Sequence, residues 1–190
     1  MSTPTAGAEC PPELLSGVVD LVRDDDERGL ARLDELLGEF GGDAKLHFLK
    51  GSVLAGLKRY PEARESMRRA VDIAPLFAVA RFQLGLLELS SGEGEAADET
   101  LQPLEQLGAE NPYALFARGL RLLMRDEFEG ALAALREGIV RNTENPPINR
   151  DMQLIIAEIQ QKLGAAPVSD EPATATQMLL KQFAAKGPKH

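Results

Sequence analysis

Apolar positions recur along this chain at helical rather than strand spacing. Leu46, Leu49, Val53 and Leu57 share one face of a helix that Asp43 can cap. Ala63, Met67, Ala70 and Val71 share a face of a second helix, which Pro61 suits at its first turn and Pro75 brings to an end. The pattern then restarts. Gly51, Gly85 and Gly119 stand 34 positions apart, and the same interval relates Ala63, Ala97 and Ala131, Phe48, Phe82 and Phe116, and Met67, Leu101 and Leu135. Glu110-Asn111-Pro112 returns as Glu144-Asn145-Pro146 at that spacing. A fixed period long enough for two helices marks a solenoid, because no single unit can bury its apolar face without a stacked neighbour.

Four helix pairs are predicted, over approximately 11–41, 44–77, 78–111 and 112–145; the first is degenerate, with Gly17 and Leu33 one period before Gly51 and Met67. Ser91-Gly92-Glu93-Gly94 separates the two helices of the third pair. In the fourth, Asp126 with Glu129 three residues on reads as a variant capping box. Helices approach to about 8 Å only where side chains are small, so each repeated Gly is expected to face an Ala of its partner helix. After Pro146-Pro147, a capping helix over 149–163 carries Met152, Ile155, Ile156, Ile159 and Leu163 as one stripe, and Gly164 stops it. Residues 1–10, with Cys10, are expected to be flexible, 164–173 have a linker composition, and 174–190 form a short amphipathic tail. Met178, Leu179 and Phe183 of that tail are candidates for docking back onto the solenoid or exchanging between protomers, since an isolated helix this short is marginal in water.

Composition narrows the partners. The 190 residues include no Trp and only 5% aromatics, so the interior is built of Leu, Ala, Val and Ile, as an all-α chain allows. A net charge of −9 argues against nucleic acid, which draws on clustered Lys and Arg. The absence of an apolar leader or a long apolar run makes export and membrane insertion unexpected and a cytoplasmic location the expectation, consistent with a single cysteine.

Chemistry is sparse. No cofactor or metal is expected: the histidines, His47 and His190, and Cys10 form no cluster in sequence. Asp24-Asp25-Asp26-Glu27 is dense, but it lies where a helix begins and negative charge favours the N-terminus. Ser52 has only His47 as a neighbouring base, five residues earlier and on another helix face. The run from Gly51 to Lys58 superficially resembles a phosphate loop, yet it falls inside a helical pattern and has Leu57 where such a loop needs Lys. An enzyme is not expected. Arg118, Arg121 and Arg125 share one side of a helix, either as a solvated face paired with nearby Glu or as a charge anchor for acidic groups on a bound peptide.

Gly51, Tyr60, Ala63, Ala70 and Pro75, at these offsets, resemble the tetratricopeptide repeat, closely over roughly 44–145 and weakly over 11–41. Departures are visible: the family's early Trp is replaced by His47, Arg81 and Leu115, and its Pro drifts to Pro112 and Pro146. The resemblance implies an all-α, right-handed superhelical solenoid of antiparallel helix pairs, with the first helix of each pair lining a concave groove. That groove would be lined by Lys45, Phe48, Ser52, Val79, Phe82, Leu86, Leu89, Tyr113, Phe116, Leu120 and Leu123. The alternative for the Phe48, Phe82 and Phe116 series is ordinary core between helices. Family members that clamp a partner's terminal carboxylate hold Lys and Asn at the offsets filled here by Phe48 and Ser52, so that use is disfavoured. The expected function is an adaptor holding an apolar or amphipathic segment of another protein. Alternatives are a dedicated chaperone for a secreted or aggregation-prone client and a homo-oligomer formed by tail exchange.

Overall fold

A computed structural model of the chain describes residues 9–164. Among them are nine α-helices and one 3-10 helix, with no strand. The chain divides into two compact units, Met1–Arg81 and Phe82–His190.

The first unit contains α1 (Pro12–Asp24), α2 (Asp26–Glu39), α3 (Ala44–Gly56), α4 (Tyr60–Ile73) and the opening residues of α5 (Ala78–Ser90). Asp25 alone connects α1 to α2 and caps α2, its carboxylate accepting from the Arg28 N–H at 3.0 Å. That is the capping role expected of the acidic run. Asp43 caps α3 by accepting from the Lys45 N–H at 2.8 Å. Pro61 sits in the first turn of α4, where its missing N–H is no loss. Leu33, Leu36, Leu46, Leu54 and Met67 are buried essentially completely and form this unit's core.

The second unit contains the rest of α5, then α6 (Gly94–Leu101), a 3-10 helix (Gln102–Leu107), α7 (Pro112–Met124), α8 (Phe128–Arg141) and α9 (Pro146–Lys162). Pro103 accounts for the change of helix type: it offers no N–H to the carbonyl of Glu99 and its ring would crowd that turn, so the chain tightens beyond Leu101. The two prolines before the expected capping helix lie inside α9, at its first turn, so the helix starts earlier than the spacing suggested. Phe82, Leu101, Phe116, Leu120, Leu135, Met152 and Ile155 make up the core. Leu163 ends the stripe half exposed, at 54%.

The repeated glycines mark close approach, but not mainly to alanine. A Cβ on Gly85 would lie 2.6 Å from Leu101, and one on Gly119 2.6 Å from Leu135 Cδ2. On Gly51 it would lie 2.9 Å from Met67 Cγ and 3.1 Å from the Ala63 carbonyl. The larger residue one turn beyond each Ala fills the space the glycine leaves. Gly17 has nothing within 4 Å of a would-be Cβ, whereas Gly29 would clash with Val22 at 2.4 Å. The first pair therefore closes through a glycine outside the repeat pattern.

The turn inside the second, third and fourth pairs also keeps the period. Lys58, Gly92 and Asp126 adopt φ of 63°, 82° and 60°. The following N–H groups, of Arg59, Glu93 and Glu127, bond back to the carbonyls of Leu54, Glu88 and Leu122 at 2.9, 2.9 and 3.0 Å. This is the Schellman arrangement, with a left-handed residue closing the helix. Asp126 is consequently the left-handed residue of the turn and not a cap; Glu127 precedes α8 and makes no side-chain cap bond, so the variant capping box does not form.

Candidate functional site

The residues predicted to bind a partner divide between the two units. In the first unit Lys45, Phe48 and Ser52 follow one another along α3 at spacings of three and four, which places them on one side of the helix. Lys45 is exposed and Phe48 half-buried, its ring 5.1 Å from that of Phe77. Ser52 donates its hydroxyl to the Phe48 carbonyl at 3.0 Å, and His47 instead reaches the Gly41 carbonyl at 3.0 Å. The two therefore serve local structure. Val79 is half-buried at the start of α5.

Phe77 escaped the sequence reading, although a signal for it exists. Positions 43, 77, 111 and 145 are one repeat apart and precede helices; three are Asp43, Asn111 and Asn145, the polar residues that N-caps favour. Phe77 breaks that polar series. Its carbonyl still accepts the first helical bond, from Arg81 at 3.0 Å, while its ring pairs with Phe48.

The second unit treats the same offsets differently. Phe82, Phe116 and Leu120 have no exposed surface, and Leu89 and Leu123 are buried. The Phe82 ring lies 5.7 Å from Phe116 and 5.9 Å from Tyr113, and Phe116 rests where a Cβ on Gly138 would come within 2.5 Å. These rings are core of the second unit, and a ligand cannot touch them without repacking it. Leu86 and Tyr113 retain partial exposure. Burial pushes the Tyr113 hydroxyl up from its ordinary pKa, against a hydrogen bond from Asn145 that lowers it; Glu144 adds a smaller upward push.

The arginine series separates in the same way. Arg121, with a side chain only 13% exposed, makes a bidentate bond to Asp98 at 2.8 and 3.0 Å and a further pair with Glu105. Its guanidinium is held above its usual pKa first by Asp98, and the Asp98 carboxyl is held below its own by Arg121. Arg121 thus ties α7 to α6 and the 3-10 helix, which takes it out of the predicted anchor. Arg125 lies 3.7 Å from Asp98 and is half exposed, and Arg118 is exposed.

At the entry to α3, Cys10, placed in the segment expected to be flexible, is held in position, while residues 1–8 of that segment lie outside the described residues. The Cys10 side chain is buried, and the Cys10 N–H donates to Asp43 Oδ2 at 2.7 Å. The burial raises the thiol pKa, with the Asp43 charge adding to it. Asn142 was also not foreseen: buried between α8 and α9, it donates to the Asn145 carbonyl and to Asn149 Oδ1, both at 2.8 Å. Among the described residues no cluster of metal-ligating side chains occurs, and no helix is long and apolar enough to cross a membrane. Met178, Leu179 and Phe183 of the predicted tail lie outside the described residues.

Comparison with known proteins agrees with this geometry. A family model described as tetratricopeptide repeat matches residues 24–76 and 82–160. A human protein, tetratricopeptide repeat protein 34, is 33% identical over 89 residues, which are 46% of this chain and 16% of that protein, so the chain spans about a sixth of its length. Among solved structures, MamA from Desulfovibrio magneticus RS-1 (residues 41 to the end) is similar with a TM-score of 0.60 at 14% identity, over 91% of this chain and 90% of that one. YrrB, described as a tetratricopeptide repeat protein with an unusual peptide-binding site, is similar with a TM-score of 0.55 at 19% identity, over 88% of this chain and 82% of its own.

Proposed function

From this chain's membership of the tetratricopeptide repeat family, a fold used for protein–protein interaction, we infer that it is an adaptor that holds an apolar or amphipathic segment of another protein against the first helices of its pairs. The observation that carries the reading is the half-buried Phe48–Phe77 pair flanked by exposed Lys45. An aromatic surface beside a charge suits an amphipathic segment, because large rings supply contact area at low entropic cost. In the second unit the half-buried Leu86 and Tyr113 are the corresponding positions, with Phe82 packed against Tyr113 as its support. Arg118 and Arg125 are the arginines left to meet acidic groups on the partner. A peptide-binding relative such as YrrB supports the ligand class.

The test is affinity capture of partners by the wild-type chain, Phe48→Ala and Tyr113→Ala, with melting followed in parallel. Loss of capture by variants that remain folded at the assay temperature supports the adaptor; capture indifferent to both substitutions refutes it. The chaperone alternative requires one-to-one copurification with a client insoluble on its own. The tail-exchange oligomer requires that removing residues 170–190, which include Met178, Leu179 and Phe183, change the mass in solution.

A further inference from the structure

The contacts of Glu9 and Cys10 bear on how the face of α3 is filled. Asp43, itself buried, divides its carboxylate between two N–H groups: Oδ1 accepts from Lys45 in the first turn of α3, and Oδ2 accepts from Cys10. The chain entering α1 is thereby fastened to the start of α3, with the Cys10 side chain tucked in as a buried wedge. The fastening places Glu9 Oε2 3.3 Å from Lys45 Nζ. Lys45 is the cation of the Lys45–Phe48–Ser52 face, so a carboxylate of the chain itself occupies the position where a partner's carboxylate would be recognised.

We propose that Glu9–Cys10 is a releasable strap, and that the partner segment bears an acidic side chain next to an apolar one, displacing Glu9 from Lys45 while its apolar neighbour packs on Phe48 and Phe77. The proposal rests on the adaptor reading above and specifies its ligand. The occupant follows from charge: Glu9 already demonstrates what Lys45 accepts, and the half-exposed rings of the same face accept apolar surface. Release follows from the unequal strength of the two fastenings. The Glu9–Lys45 pair is exposed on both sides, 79% and 56%, and exposed pairs are weak. With Glu9 displaced the strap loses one of its fastenings, so the Cys10–Asp43 bond opens more often and brings the buried thiol to solvent.

Cys10 is the chain's sole cysteine, so its reaction with N-ethylmaleimide reports strap opening in the intact protein. Glu9→Gln and Lys45→Gln are each expected to raise the labelling rate about two- to fivefold, the range that loss of an exposed ion pair permits. The double variant should label no faster than either single one, because both remove the same contact. The probe is a blocked pentapeptide, AEFLA, with AQFLA as its control. AEFLA should accelerate labelling of the wild-type chain and bind Glu9→Gln about threefold more tightly than wild type, while AQFLA does neither. Unchanged melting temperatures separate strap opening from unfolding. Labelling indifferent to Glu9→Gln and to AEFLA overturns the strap. AEFLA binding that is equal in wild type and Glu9→Gln yet lost in Phe48→Ala overturns the strap and leaves the adaptor face standing; binding that survives Phe48→Ala overturns the face. Failure of AEFLA to bind any variant overturns the proposed ligand.

Discussion

At the scale of single residues, equivalent positions in the repeat have unequal energetic roles. Phe82 and Phe116 are wholly enclosed, so Phe82→Ala and Phe116→Ala are each expected to cost about 3–5 kcal/mol, whereas Phe48→Ala, starting half-buried, should cost less than half as much. Chemical denaturation of the three variants checks this; equal losses would mean that burial does not distinguish them. The turns offer a second measurement. Gly92 adopts its left-handed φ without strain, but Lys58 and Asp126 bring a Cβ into the same conformation. Lys58→Gly should stabilise the chain by about 0.5–1 kcal/mol and Asp126→Gly by less, because Asp tolerates that region better than Lys. Gly92→Ala should destabilise by about 1 kcal/mol. A Lys58→Gly variant that melts earlier than wild type would contradict the strain argument.

At the scale of elements, the junction of α6, the 3-10 helix and α7 depends on ionisation. Asp98 has its folded pKa depressed, first by its hydrogen bond to Arg121, so its contribution to stability is complete above its unfolded pKa of about 3.9 and is lost as pH falls through the lower folded value. Asp98→Asn should therefore flatten the acid limb of the stability profile below about pH 4 and leave its shape near neutrality unchanged. Thermal melts from pH 2 to 7 would reveal it, and parallel acid limbs for both proteins would exclude the role. Asn142 performs an uncharged version of this task between α8 and α9, closing their turn through Asn145 and Asn149. Its effect on stability should not vary with pH.

At the scale of the molecule, the two units do not divide their stability evenly along the chain. The α3–α4 and α7–α8 pairs each close over a repeated glycine and fully buried large side chains, while α6 is short and continues as a 3-10 helix with poorer hydrogen-bond geometry. Amide hydrogen exchange should accordingly be slowest in α3, α4, α7 and α8 and faster between Gly94 and Leu107. Uniform protection across that segment and its neighbours would refute the ordering. Much of this organisation was legible beforehand. The 34-residue period pointed to helix pairs, and local signals at Gly92, Pro75 and Asp43 pointed to their breaks and a cap, because backbone geometry and helix periodicity are local properties that a linear chain records directly. The choice between surface and core for the phenylalanine series could not be recorded that way. Spacing sets the direction in which a side chain leaves its helix; it does not state what covers it. Only the tertiary structure decided that Tyr113 and Phe116 close over Phe82, that Gly138 makes room for Phe116, that Asp98 and Glu105 claim Arg121, and that Cys10 is buried beside Asp43. Each of those outcomes depends on residues brought together from separate elements, and burial and ion pairing are properties of that assembly.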